Sequence, residues 1–361
     1  MRIAILWSAL ASYSVAFFNQ LAVTEGAKLL LIYRKPDSDA PFDRFDLSFC
    51  EESAEDSPES RETLEACVRE FSPDCILMSG WAHPHFMRIA RKMRRTGVYV
   101  VAAIDNQWRG TLKQYLGILT ASWFLKPSID TFLVAGERQA NFARRLGYEQ
   151  VLYGYGTPDV EKFITAIPVT SRPRGFLFVG RLIEVKNLPR LVQAYRVYRE
   201  RVVDPWTLMI AGTGPVAPVF RGVPGVELLG FVQPESLPDV MKMARCLIMP
   251  SVFEPWGVAI HEGAAAGLPI IASYRCGATT ALVRDGVNGF IVSPDAQSIA
   301  AAMVRIHSSY EESLLDMSRA SVTLATLWTP RRLAGYFHAM VAESRATMAG
   351  YGHSVSIPTT R

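Results

Sequence analysis

Twelve short apolar, β-rich runs separated by stretches of helical pattern constrain this chain more than any other feature. They fall into two series. The first covers 2–7, 28–33, 74–79, 98–103, 131–135 and 151–153; the second covers 176–179, 207–211, 226–229, 246–250, 269–272 and 289–292. Strands alternating with helices in this way are the pattern of βαβ units around a parallel sheet. The fold class expected is therefore α/β, with two Rossmann-like, doubly wound parallel-sheet domains in series. Length agrees, because 361 residues exceed the roughly 250–300 at which a single hydrophobic core stops growing.

The segment 165–174 holds two prolines, a serine and two threonines and interrupts both series, so it reads as the linker. The domains expected are 1–166 and 167–330, then a C-terminal helix over 331–347 packing back toward the first domain. A disordered tail over 348–361 is expected to follow.

Composition removes several function classes. Apolar residues make up 49% and charged residues 20% of the chain, which is ordinary for a globular protein. A net charge of +4 is too mild to argue for nucleic acid as a partner, though it suits anionic substrates or a membrane surface. The five cysteines are odd in number and form no C-x-x-C pair, which argues against a disulfide framework and fits reduced cytoplasm. Near the N-terminus, Ala9-Leu10-Ala11 mimics a signal-peptidase site. The apolar core ahead of it is only about six residues, shorter than the usual 7–15. Ser8, Ser12, Ser14, Asn19 and Gln20 also interrupt any membrane span, so a buried strand followed by a helix is expected.

Charge is unevenly spread. From Asp37 to Glu70 there are twelve acidic and three basic residues, which reads as a solvated loop and helix face. Arg88, Arg91, Lys92, Arg94 and Arg95 crowd one helix whose other positions, Phe86, Ile89 and Met93, are apolar at helical spacing. Such a helix suits either a core-packed position or peripheral contact with the inner surface of a membrane.

Three constellations carry chemistry. In 176–188, FLFVGRLIEVKNL, a buried strand leads into Gly180-Arg181, with Lys186 before the next helix. In open α/β sheets ligands collect at the carboxyl ends of strands, and two cations there suit a diphosphate. Arg181 offers forked contacts and Lys186 a compact charge. In 246–273, CLIMPSVFEPWGVAIHEGAAAGLPIIAS, Glu254 lies in a strand-to-helix turn and Glu262 eight residues later. On a helical wheel they lie about 80° apart, facing one cleft. Trp256, Gly257 and Val258 offer backbone N–H groups at the helix start. A third piece, IAGTGP over 210–215 with Gly230-Phe231-Val232, supplies backbone that could hold a flat base; for the GTGP glycines a structural turn is favoured. His83 and His85, in GWAHPH, follow a strand end and read either as cleft groups or as loop packing. His261 would point to a different helix face from Glu262 and reads as structural.

Together GRL-x-x-x-K-N, AGTGP, LGFV, PS-x-x-EP-x-G-x-x-x-x-E, GLPIIAS and DGVNGFIV resemble, in order and spacing, glycosyltransferase family 4. The match covers about 176–292, and the segment from Gly154 to Phe163 is similar to the stretch with which that family leaves its first domain. The resemblance implies the GT-B architecture, two Rossmann-like domains facing a cleft, and a retaining, metal-independent hexosyltransferase in polysaccharide or glycoconjugate synthesis. It implies no cofactor, since the nucleoside-diphosphate sugar is a co-substrate. Donor binding would involve Gly180, Arg181, Lys186, Phe231, Val232, Trp256, Gly257, Val258 and Glu262, with Glu262 on the ribose hydroxyls. Arg181, Lys186 and Glu254 would be catalytic, with Glu254 touching the donor sugar. A saccharide or lipid-linked acceptor would meet the first domain, with Ser8, His83 and Asp105 as candidates. No D-x-D motif follows a strand of the second lobe, in keeping with a metal-free site.

Two departures stand out. Where the family often carries Gly-Gly-x-Pro-Glu, this chain has Gly277-Ala278-Thr279-Thr280-Ala281. Where many members have a glycine-rich first loop and a histidine after the fourth strand, it has 7–13, WSALASY, and Asp105-Asn106. The alternatives are a non-catalytic sugar-nucleotide-binding scaffold and a sugar-nucleotide epimerase or hydrolase on the same fold.

Overall fold

A computed structural model describes residues 1–34, 45–57 and 61–352. It divides into two compact units, Met1–Tyr155 with the segment from Pro330 onward, and Gly156–Thr329. The first unit opens with β1 (Arg2–Trp7), α1 (Ser12–Val23), β2 (Lys28–Tyr33), β3 (Glu52–Glu55) and α2 (Arg61–Phe71). It continues with β4 (Cys75–Met78), α3 (Pro84–Arg94), β5 (Tyr99–Ile104), α4 (Leu112–Phe124), β6 (Thr131–Val134), α5 (Glu137–Arg145) and β7 (Val151–Tyr153). The second unit runs through α6 (Val160–Phe163), β8 (Gly175–Val179), α7 (Leu188–Arg201), β9 (Thr207–Ala211), β10 (Val226–Gly230) and α8 (Leu237–Lys242). It then forms β11 (Cys246–Met249), α9 (Val258–Ala265), β12 (Ile270–Ser273), α10 (Thr279–Leu282), β13 (Gly289–Val292), α11 (Ala296–His307) and α12 (Glu311–Thr326). α13 (Pro330–Gly352) returns to the first unit.

The first sheet has seven strands in the order β3-β2-β1-β4-β5-β6-β7 and the second has six in the order β10-β9-β8-β11-β12-β13. All neighbouring strands pair in parallel. Helices cover both faces of such sheets, so the strands are continuously apolar and legible in sequence. In β1, Ile3, Ile5 and Trp7 join one core cluster with α1 and α13, whereas Ala4 and Leu6 join the opposite one with α2 and α3. α13 is fixed to α1 by the edge-on contact of Phe17 with Phe337, ring centroids 5.8 Å apart, and by buried Leu333 and Val341. Burying each such side chain stabilises by about 1.5–3 kcal/mol. The unit is tied further by Arg345, whose Nη1 lies 2.7 Å from Asp74 Oδ1.

Four expectations change. The segment 165–174 is not a linker: the boundary falls after Tyr155, and a 3₁₀ turn over Val169–Ser171 packs on α12. Arg245 holds this segment by donating to the carbonyls of Arg172 and Thr170. The acidic stretch contains an edge strand, β3, paired with β2, and a buried carboxylate, Asp56, 3.0 Å from His85 Nδ1; its residues 37–44 and 58–60 lie outside the described residues. The charged helix faces of the first unit also meet each other. Glu65 of α2 accepts from Lys92 of α3 at 2.5 Å, and Arg94 contacts Asp130 at 2.8 Å. Finally, helical backbone continues to Gly352, past the 348 at which a tail was expected, and residues 353–361 lie outside the described residues.

Candidate functional site

The second sheet reverses its winding between β8 and β11, adjacent strands from which the chain leads off to opposite sides. Loops at the carboxyl ends of two such strands diverge and leave a crevice, the usual ligand position in an open α/β sheet. The loop after β8 carries Gly180, Arg181 and Lys186, and the loop after β11 carries Glu254, Trp256 and Gly257.

These two loops meet through charge. Lys186 Nζ forms an ion pair with Glu254 Oε2, and the two side chains are only 14% and 12% exposed. Lys186 also folds back over Gly180: a Cβ added there would lie 3.7 Å from Lys186 Cε and 3.8 Å from Nζ. Arg181 is exposed beside this pair in sequence. One exposed cation and one nearly buried, ion-paired cation thus flank the end of β8.

Backbone contacts fix the geometry. The GTGP glycines are structural, as expected, but the reason is close approach: a Cβ at Gly212 would stand 2.0 Å from the Gly180 carbonyl oxygen, and one at Gly214 2.5 Å from that of Leu182. The Leu182 N–H donates to Thr213 O at 2.8 Å, closing the two loops on each other. Asn187 supplies a further anchor that sequence reasoning left without a role. It adopts φ +62°, and its Nδ2 donates to the carbonyls of Pro250 at 3.0 Å and Pro294 at 2.7 Å. The Lys186 loop is thereby tied to the ends of β11 and β13. An Asn directly before the Leu-Pro start of α7 was the available signal, because Asn tolerates left-handed backbone.

The Glu254 loop is seated from below. Glu254 forms an isolated parallel bridge with Cys276, and its carbonyl accepts from the Gly277 N–H at 3.0 Å. A Cβ at Gly277 would stand 2.0 Å from Pro255 O. The stretch that departs from the family pattern is therefore the floor under Glu254, with Ala278 and Thr279 buried. Gly257, φ +101°, is the N-cap of α9. Glu254 precedes that helix, so the helical-wheel spacing expected between Glu254 and Glu262 does not apply; the tertiary bridge places Glu254, and α9 places Glu262.

Glu262 is 8% exposed, and burial pushes its carboxyl from the ordinary 4.5 up to about 7. His261 beside it belongs to the packing: its Nε2 lies 3.0 Å from Ala325 O, and burial pushes it down to about 4, so the imidazole is neutral. Trp256 is 6% exposed and its Cδ1 lies 3.2 Å from where a Cβ of Gly156 would stand. Val258 opens α9. Phe231 and Val232 are half-buried after β10, at the far edge of the sheet and two strands from β8, joined to the site through the Gly212 N–H bond to Gly230 O at 2.6 Å. Among the described residues no group of three His, Cys, Asp or Glu side chains is arranged to hold a metal ion.

In the first unit Ser8, His83 and Asp105 follow β1, β4 and β5, three neighbouring strands, at their carboxyl ends. The Ser8 N–H donates to Ser79 Oγ at 2.9 Å. His83 Nδ1 lies 3.3 Å from Arg34 Nη1, and partial burial followed by that cation lowers its pKa. Tyr13 and Tyr155, ring centroids 5.8 Å apart, share a hydroxyl hydrogen bond near Asp105. His85 is buried against Asp56, away from a solvent-facing role.

Comparisons with known proteins match the same segment. Residues 173–309 match the family model for glycosyl transferases group 1. An uncharacterized glycosyltransferase of Methanocaldococcus jannaschii is 32% identical over 176 residues, 46% of this chain and 44% of that protein. Alignments with curated relatives thus span less than half of those proteins. By structure, sucrose-phosphate synthase from Thermosynechococcus elongatus superimposes with a TM-score of 0.73 at 16% identity, covering 96% of this chain and 100% of the other. Anabaena HepE in complex with UDP-glucose gives 0.70 at 14% identity, covering 96% and 100%. The chain therefore has the GT-B fold, and over residues 173–309 it is similar to the group 1 glycosyltransferases.

Proposed function

We propose that this chain is a retaining glycosyltransferase of family 4 that moves a hexosyl group from a nucleoside-diphosphate sugar to a saccharide or lipid-linked acceptor. A role in cell-surface polysaccharide or glycoconjugate synthesis at the cytoplasmic side of the membrane fits this chemistry. The observation that carries the reading is the Lys186–Glu254 pair at the switch point of the segment similar to group 1 glycosyltransferases. HepE, of the same fold, holds UDP-glucose, which supports a nucleotide sugar as donor here.

In this reading the bond from the anomeric carbon to the β-phosphate oxygen breaks, and the acceptor oxygen bonds that carbon on the same face. The acceptor proton leaves with the phosphate. Arg181 and Lys186 neutralise the charge that develops on the departing diphosphate, which is the larger part of such catalysis. A bound metal is not required for that task. Glu254 orients Lys186 and reaches the donor sugar, the amides of Gly257 and Val258 assist, and Glu262 accepts from the ribose hydroxyls.

Incubation with nucleotide sugars and saccharide or lipid-linked acceptors should give a glycoside with the donor's anomeric configuration, in the presence of EDTA as in its absence. Lys186→Ala and Glu254→Gln should each lower kcat by about 10²–10³. Inverted product, free sugar alone or unchanged turnover in either variant would refute the assignment. One observation favours a second reading, a non-catalytic sugar-nucleotide-binding scaffold: Ala281 stands where the family often has a carboxylate. Donor binding with no transfer to any acceptor would select it.

A further inference from the structure

We propose that the outward face of α4 is a membrane-contact surface that lies on an anionic lipid bilayer. The inference is independent of the transferase reading. α4 is apolar on two sides. Inward, Ala121 is buried in the core of the first unit, joined by partly buried Ile118 and by Leu125 just past the helix end. Outward, Leu112, Tyr115, Leu116, Leu119 and Trp123 recur at i, i+3, i+4, i+7 and i+11. At about 100° per residue they form one stripe centred opposite Ala121.

This stripe is in solvent: Leu112 is 82%, Leu119 71% and Trp123 78% exposed. Phe124 at the helix end, to one side of the stripe, is exposed as well. Among the described residues no other helix carries such a run of large exposed apolar side chains; single ones are normal, whereas a contiguous patch marks a contact surface. The helix itself is well anchored. Thr111 caps it by accepting from the Gln114 N–H, and Gln114 Oε1 accepts from the Arg109 N–H at 2.8 Å.

Charge selects the occupant. Between Asp105 and Asp130 there is no acidic residue, while Arg109, Lys113 and Lys126 are cationic. Arg91 of α3 adds a fourth cation at the end of the helix, donating to the carbonyls of Trp123 and Phe124 at 3.3 Å. A second copy of this chain docked symmetrically on the same patch would set cation against cation. An anionic bilayer instead takes leucines into its acyl boundary, Trp and Tyr at the headgroup level and lysine ammonium groups at the phosphates. The basic face of α3 is less suited, since Arg88, Lys92 and Arg94 are engaged by Glu65 and Asp130.

The test is co-sedimentation of the full chain with phosphatidylcholine vesicles, with and without phosphatidylglycerol. Wild type should sediment with the phosphatidylglycerol vesicles. The Leu119→Glu/Trp123→Glu double variant should lose about tenfold or more of that binding, and Lys113→Glu should weaken it. Both alter exposed side chains, and an unchanged circular dichroism melt verifies folding. Wild type remaining in the supernatant, or the double variant sedimenting like wild type, would overturn the proposal. So would a loss produced by Arg95→Glu instead, which places the contact on α3, or a wild-type dimer that Leu119→Glu dissociates.

Discussion

The two units are built alike and used differently. Each is a doubly wound parallel sheet with a switch point, between β1 and β4 in the first unit and between β8 and β11 in the second. At the second, a nearly buried ion pair bridges the loops, and Gly212, Gly214 and Gly277 let backbone lie where a side chain would collide. At the first, the loops carry Ser8, His83 and, one strand on, Asp105, beside a pair of tyrosines. On the proposed function the second is a diphosphate site, which constrains backbone shape and charge together, and the first an acceptor site, which needs only a few polar and aromatic side chains suited to its acceptor. Topology thus provides two crevices, and local backbone closure decides which one carries a recognisable motif.

The comparison can be broken at the anchor of the second crevice. Asn187→Ala removes two buried hydrogen bonds and leaves an alanine in left-handed backbone. At about 1 kcal/mol for each bond and 1–2 kcal/mol for the backbone, the loss should be roughly 3 kcal/mol. A domain the size of the second unit should then melt about 6–12 °C lower. Calorimetry of the variant should show the second unit's transition shifted and the first unit's in place; a common shift would mean that the Lys186 loop is not separately anchored.

A smaller effect sharpens the role of Glu262. Between its ordinary 4.5 and about 7, the folded protein holds a proton on Glu262 that the unfolded chain has released. Its contribution to stability therefore falls as pH rises through that window and is constant above it. If the ionised carboxylate accepts from ribose hydroxyls, donor binding runs the other way and tightens by about tenfold from pH 6 to pH 8. Calorimetric titration with a nucleotide sugar, whose diphosphate does not titrate there, measures this directly. Glu262→Gln should flatten the profile, and an unchanged slope in that variant would remove Glu262 from the site.

Much of this architecture was legible because parallel strands buried on both faces are continuously apolar. The strand that escaped, β3, reads Glu52-Ser53-Ala54-Glu55; as an edge strand it needs little apolar burial, and its composition resembles a loop. Glu254 and Glu262 stood out in the sequence as candidates, but their relative geometry did not, since a wheel drawn through Glu254 assumes helix where a tertiary bridge to Cys276 sets the backbone. The segment 165–174 shows the converse: turn-rich composition marks irregular backbone, not whether that backbone is packed. The outer face of α4 was invisible for a related reason. A helix apolar all round reads as buried, and only the fold shows that one of its faces stays in solvent.

The central claim is that the second unit's switch point holds the donor, and a thermal-shift panel of nucleotide sugars against wild type, Lys186→Ala and His83→Ala tests it most directly. A donor at a hundred times its dissociation constant should stabilise wild type by about 2.7 kcal/mol. The account predicts that the same donor stabilises His83→Ala equally and Lys186→Ala hardly at all. Full stabilisation of Lys186→Ala, or its loss in His83→Ala, would contradict the account.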